Sequence, residues 1–265
     1  MTKLLQIAIV VLSTLFVIST QARAASENVN ADPLPACSSS LSGAVIIPNF
    51  SNTVRQCAAT PSSYSITVYE MGVCTSHPYG VAKDSSTFDA STCEVVYSDA
   101  NATSTDIAGS IGTTFSLPGT STLPPSGTYG FPYILFKNEF KVSGTFTSAN
   151  GTVTMSDSTN HPDVKSTGTP DVVTESLDDF SGAANCQSGY VGAAVTGALI
   201  DGFIADSNKE REVTGAGNCN AHKTHLVGVL TLNAPFTITP QTYGLNFSFN
   251  LTDQGVQFID TTGTA

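Results

Sequence analysis

Apolar residues recur at every second position along most of this chain. Tyr64, Ile66 and Val68 alternate with Ser65, Thr67 and Tyr69, the period of a strand with one buried face. Residues 94–97 predict a short strand directly after Cys93. Residues 107–117 predict a bent strand interrupted by Gly109 and Gly112. Residues 129–136 predict a strong strand, and Phe140, Val142 and Phe146 share one face of the next. Asn150-Gly151 lies between the alternating segments 145–149 and 152–156, so a hairpin with a two-residue type I′ turn is expected there.

Residues 190–205 are apolar but carry Gly192, Gly197 and Gly202. A helix would lose about 1 kcal/mol at each glycine relative to alanine, so strands in close contact are expected instead. Residues 226–232 predict a buried strand and residues 236–239 a short one. Tyr243, Leu245, Phe247, Phe249 and Leu251 then alternate with Gly244, Asn246, Ser248, Asn250 and Thr252. Asp253-Gln254-Gly255 is expected to turn that strand back into residues 256–260 as a closing hairpin. One short helix is expected from Thr169, as N-cap, through Pro170 to Phe180.

About a dozen short strands between turn signals predict an all-β fold, an antiparallel β-sandwich or jelly-roll-like packing stapled by disulfides. The polar stretch 157–170 is where the chain would divide if it held two subdomains. An outer-membrane barrel fits less well. Glu70 stands among the apolar-facing positions of its strand, no aromatic girdles are evident, and residues 261–265 are polar.

The start of the chain has a different pattern. Lys3 precedes an almost unbroken apolar run, residues 4–18, and Ala22-Arg23-Ala24 supplies small residues for a signal peptidase. Residues 1–24 therefore read as a cleaved export signal, residues 25–36 as a loose leader and residues 37–265 as the β region. The run is short for a membrane anchor. A secreted or cell-surface protein with no stable membrane span is expected.

Removing the signal takes away Lys3 and Arg23 and leaves eight basic against 21 acidic residues, a net charge of −13 with histidines neutral. Binding a phosphate backbone requires Lys and Arg to displace counterions, so nucleic acid is not an expected partner. Six cysteines remain, Cys37, Cys57, Cys74, Cys93, Cys186 and Cys219. An even number in an oxidising compartment predicts three disulfides. Sequential pairing, Cys37–Cys57, Cys74–Cys93 and Cys186–Cys219, is favoured because each bridge then closes a local loop. A loop of about 20 residues contributes roughly 3 kcal/mol on the chain-entropy model.

Candidate chemistry is sparse. Cys219-x-x-His222-x-x-His225 resembles a set of metal ligands, but Cys219 is wanted by a disulfide and His225 is expected to begin the strand 226–232. Asp171, Glu175, Asp178, Asp179, Asp201 and Asp206 could offer carboxylate oxygens to Ca²⁺, yet no EF-hand spacing is present and a solvated acidic face is the expectation. No Gly-x-Ser-x-Gly elbow occurs. Asp178 and Asp179 are adjacent, which does not place two carboxylates across a glycosidic bond. Glycan binding usually uses exposed aromatic platforms. The chain has no tryptophan, and Tyr79, Tyr97 and Tyr190 are expected to pack internally. Asn49, Asn101, Asn150, Asn246 and Asn250 each stand in an Asn-x-Ser/Thr sequon.

The run Tyr64-Ser65-Ile66-Thr67-Val68-Tyr69-Glu70 leading to Val73-Cys74-Thr75, with Ser91-Thr92-Cys93 downstream, resembles a group of uncharacterised exported β-rich bacterial proteins. Gly127-Thr128-Tyr129 before an apolar strand is similar too. This resemblance implies a bacterial secretory origin and carries no activity. The function expected from all these features is non-enzymatic: a structural or adhesive surface protein, such as a subunit of an appendage or coat, without a cofactor. Its expected partners are further copies of itself or other surface proteins, met by strand addition at edges such as residues 256–260. An extracellular module binding glycan or divalent metal is the alternative.

Overall fold

In a computed structural model of the chain, the described residues are 5–7, 36–37, 55–147, 151, 153–159, 164–177, 180, 189–211 and 223–260. Among them the chain is strand and loop, with two single-turn 3-10 segments, Ala90–Thr92 and Ala108–Ser110. The expected all-β, predominantly antiparallel architecture is therefore what forms.

The organising element is the twelve-residue strand Ser63–Cys74. Tyr64, Ile66 and Val68 are buried on one side, as their alternation predicts. Pairing shifts register between Val68 and Glu70 on one edge and between Met71 and Gly72 on the other. Irregularities of this kind bend a strand and increase its twist. The two halves have different neighbours. The first pairs with Ser104–Asp106 and Phe140–Ser143, the second with Cys93–Ser98 and Phe131–Lys137.

Beyond Phe131–Lys137 the sheet continues through His225–Leu232, Ala198–Ala205 and Tyr190–Val195. The last two are the strands expected of residues 190–205, and they pair with each other as a hairpin. It reverses at Thr196-Gly197, where Gly197 takes a φ of +83° that few side chains tolerate. The ten-stranded sheet draws strands from both sides of residues 157–170.

Side chains alternate across this sheet and both faces are covered. Ile134, Phe136, Ile200, Ile204, Leu226 and Leu230 join Tyr64, Ile66 and Val68 in the larger core cluster. On the opposite face Tyr133, Leu135, Phe203, Val227 and Val229 pack under the loop residues Tyr79 and Phe88. Burial on both faces explains why residues 198–205 and 226–232 read as nearly continuous apolar runs. A third, smaller cluster holds Cys57, Ala59, Phe146 and Phe258.

Two of the expected disulfides form, Cys37–Cys57 and Cys74–Cys93. Cys186 and Cys219 lie outside the described residues. Four local expectations are corrected. Residues 107–117 hold a 3-10 turn, and the strand there is Ser104–Asp106. The proposed helix start is instead followed by the strand Val173–Glu175, where Val173 is buried and pairs with Val142. β-branched valine suits that pleated surface.

Thr145–Thr147 and Val153–Ser156 pair antiparallel, but Thr147 faces Val153, where a two-residue turn at Asn150-Gly151 would set it opposite Thr154; residues 148–150 and 152 lie outside the described residues. The closing hairpin is absent among the described residues. Only Leu245–Phe247 of the alternating run is strand, and Val256–Asp260 pairs with Arg55–Ala59, where Phe258 enters the third cluster. The edge proposed for strand addition is thus occupied on that side. Leu5–Ile7, inside the predicted signal, lies parallel to Leu245–Phe247.

Candidate functional site

Asp201 stands in the middle of Ala198–Ala205, a strand otherwise made of apolar residues and Gly202. Period two points its side chain to the same face as Phe203 and Ala205, beneath the loop formed by residues 75–92. That loop leaves the sheet at Cys74 and returns at Cys93, and the disulfide joins its two ends. Thr75 N–H donates to the Thr92 carbonyl just beyond the bridge, at 2.9 Å.

The loop packs because its apolar residues fill the face below it. Tyr79 is fully buried, with its ring centroid 4.2 Å from that of Phe203 and 5.5 Å from that of Phe88, which in turn lies 5.0 Å from Tyr133. The Tyr79 hydroxyl donates to the Lys209 carbonyl at 2.8 Å. Asp89 N–H donates to the Pro78 carbonyl, closing the loop on itself.

Within this apolar setting Asp201 is 1% exposed. Its Oδ1 accepts from Lys83 Nζ at 2.9 Å and from the Tyr190 hydroxyl at 2.8 Å. Its Oδ2 lies 3.3 Å from His77 Nε2. Tyr79 N–H donates to His77 Nδ1 at 3.2 Å, so in the neutral ring Nε2 carries the proton and faces the carboxylate. Burial pushes the Asp201 carboxyl up. The bonds from His77, Lys83 and Tyr190, with the Lys83 charge, outweigh it and hold the group below the ordinary carboxylate range. The Tyr190 hydroxyl is pushed above its usual value, first by burial and then by its bond to that carboxylate.

A second carboxylate repeats the arrangement nearby. Glu70 accepts from the Tyr133 hydroxyl at 2.6 Å and pairs with Lys209. The Lys209 ammonium also sits over the rings of Phe88, at 4.8 Å, and Tyr133, at 5.5 Å. Burial foremost, then the Glu70 bond and charge, raise the Tyr133 hydroxyl well above its ordinary value. Arg211 completes the group. It lies over Phe203 and donates from Nη1 to the Lys83 carbonyl, while its N–H donates to the Ser86 carbonyl. Lys83 and Lys209 both adopt left-handed backbone, φ 57° and 63°, a conformation costing L-residues about 1–2 kcal/mol.

Chemically, this is a closed ionic and aromatic junction. Two carboxylates, two phenols, three cations and one imidazole join residues 75–92 and 206–211 to the sheet. The expectation that Asp201 belongs to a solvated acidic face is overturned, because its register turns it inward. Asp206 caps its own turn by accepting from Asn208 and Glu210 N–H, and Asp171 pairs with Lys165. Asp178 and Asp179 lie outside the described residues.

Of the metal-ligand set, Cys219 and His222 lie outside the described residues. His225 begins the strand His225–Leu232 as expected. Its ring packs against Tyr69, centroids 4.6 Å apart, and its Nδ1 is 2.9 Å from the Thr224 hydroxyl. Burial foremost lowers its pKa, with Asp206 opposing and Lys137 reinforcing that effect. Among the described residues no group of three or more His, Cys, Asp or Glu side chains is gathered for a metal ion. No helix among them is long and apolar enough to cross a membrane.

Sequence reasoning placed His77 only in a turn and missed Lys83, Lys209, Arg211, Glu70 and Tyr133 as members of one cluster. The available signal was a single acid on the inward register of an apolar strand, which must find partners or stay uncharged. No protein-family model, curated protein or solved structure matches this chain.

Proposed function

We propose that this chain is an exported, non-enzymatic surface protein whose work is structural or adhesive, acting as a subunit of an extracellular assembly. The observation that carries this is the junction around Asp201. The side chains with the chemistry to act on a ligand are directed instead to the protein's own loops. Lys83 and Tyr190 bond Asp201 with His77 beside it, and Tyr133 and Lys209 bond Glu70. An assembly subunit needs that kind of rigidity.

Two further features support the reading. Disulfides at Cys37–Cys57 and Cys74–Cys93 suit an oxidising compartment. The strand Tyr190–Val195 ends the ten-stranded sheet among the described residues, and an end strand can accept a strand from a neighbouring copy.

Fractionation of the producing cells tests the proposal. The chain should be recovered outside the cytoplasm, beginning at Ala25, in species much larger than one copy on native sizing. A full-length chain found in the cytoplasm, or an exported chain that stays monomeric at every concentration, would overturn it.

A further inference from the structure

We propose that Lys83 and Asp201 are the precursors of an intramolecular amide cross-link, formed between Lys83 Nζ and Asp201 Cγ. The argument starts from placement. The amine and the carboxyl oxygen are 2.9 Å apart, and Asp201 is 1% exposed. Water competes with an amine for a carboxyl carbon and hydrolyses the product, so a buried carboxyl is a prerequisite. Two groups held in one geometry react with effective molarities of about 10⁵–10⁸ M in well-oriented cases.

The remaining contacts supply the donors the step needs. Tyr190 donates to Oδ1 at 2.8 Å, and His77 Nε2 lies 3.3 Å from Oδ2 without a formed hydrogen bond. Transfer of one proton from Nζ to Oδ1, uphill within the ion pair, gives the free amine and the acid. The Nζ lone pair attacks Cγ, and the C=O electron pair moves onto Oδ2, where His77 Nε2, 3.3 Å away at rest, closes to a hydrogen bond as the oxyanion develops. The Cγ–Oδ1 bond then breaks, and Oδ1 leaves as water with a second proton from Nζ, while the pair on Oδ2 re-forms the carbonyl. An ammonium and a carboxylate become one amide and one water. Nothing is oxidised or reduced and no co-reactant is needed. The product replaces two charges that are costly to bury with a neutral group.

Lys209 and Glu70 form the internal comparison. Their side chains are 16% and 22% exposed, and the Glu70 oxygen that meets Lys209 also meets Tyr133. Their pair lacks the fully buried carboxyl, so it should remain ionic.

Intact mass spectrometry of the full exported chain, reduced and denatured, tests this, with peptide mapping to locate any link. The expected mass is lower than that of the processed sequence by one water, with Lys83 and Asp201 in one branched peptide. Lys83→Arg preserves the charge but should restore the full mass. Asp201→Asn offers an amide to the same amine, and its cross-linked form should be lighter by one ammonia. A native chain of full mass would overturn the proposal. So would a deficit that persists in Lys83→Arg or maps to Lys209 and Glu70. Mass is read wherever the protein resides, so failure here is distinct from failure of the surface-subunit proposal.

Discussion

The phenol of Tyr190 fills the space that a side chain at Gly192 would need. A β-carbon built on Gly192 would lie 2.6 Å from the Tyr190 oxygen, the same oxygen that donates to Asp201. Gly72 and Tyr133 repeat the relationship. A β-carbon at Gly72 would lie 2.6 Å from the Tyr133 oxygen, which donates to Glu70. In both cases a missing side chain lets a tyrosine lie across the sheet and reach a carboxylate.

Gly192→Ala should therefore destabilise the protein by about 1–3 kcal/mol, the usual cost of overpacking. Tyr190→Phe, which deletes one hydrogen bond to a charged group, should cost about 1.5–3 kcal/mol. Because the two residues share one space, their double mutant should lose less than the sum of the two, as measured by chemical denaturation. Strict additivity would mean that Tyr190 does not rest over Gly192.

Removing the bridge at the neck of the loop, by Cys74→Ala with Cys93→Ala, should cost about 3 kcal/mol for a loop of this length. Hydrogen exchange should rise chiefly in residues 75–92. The face beneath, at Phe203 and Val229, should stay protected at mild denaturant because the sheet does not depend on the bridge. Uniform loss of protection would contradict a clasped loop on an independent sheet.

Tyr64, Tyr79, Tyr133 and Tyr190 all have hydroxyls raised above the ordinary range, each chiefly by burial. The native protein therefore resists ionisation that the unfolded chain allows. This contribution to stability is complete below about pH 10, the unfolded value, and is lost as pH climbs beyond it. Ultraviolet titration should show these four phenols ionising only with unfolding. Smooth titration of all eight tyrosines with the fold intact would contradict the burial described.

His225 has its pKa lowered, so below about pH 6.5 the unfolded chain takes up a proton that the native state resists, and stability falls. Melting temperature should decline as pH falls through that range, and His225→Gln should remove the decline. A profile unaltered by the substitution would overturn the assignment.

Among the described residues, three paired positions join the predicted signal to the rest of the fold. A chain starting at Ala25 loses the parallel pairing of Leu5–Ile7 with Leu245–Phe247, but it keeps the strand Ser63–Cys74 and all its neighbours. Its circular dichroism spectrum should be unchanged and its melting cooperative. Collapse of the sheet on deleting residues 1–24 would mean that this segment is structural and not a discarded leader.

What can be read without the fold follows from short-range physics. Alternation at Tyr64, Ile66 and Val68 identifies a strand because neighbouring side chains must point to opposite faces. The glycines of residues 190–205 mark strands because a helix would lose stability at each of them. Cys37–Cys57 and Cys74–Cys93 were foreseeable because each closes a short loop. The same local logic fails for Leu245–Phe247 and Val256–Asp260, whose partners come from residues 5–7 and 55–59 rather than from each other. Asp201 meets Lys83 across 118 positions, and Glu70 meets Lys209 across 139. An isolated acid in a strand announces that it needs a partner, but not which one. Only the packing of residues 75–92 and 206–211 over the sheet decides that, because a charge leaves water only where opposite charges and donors are already held in place.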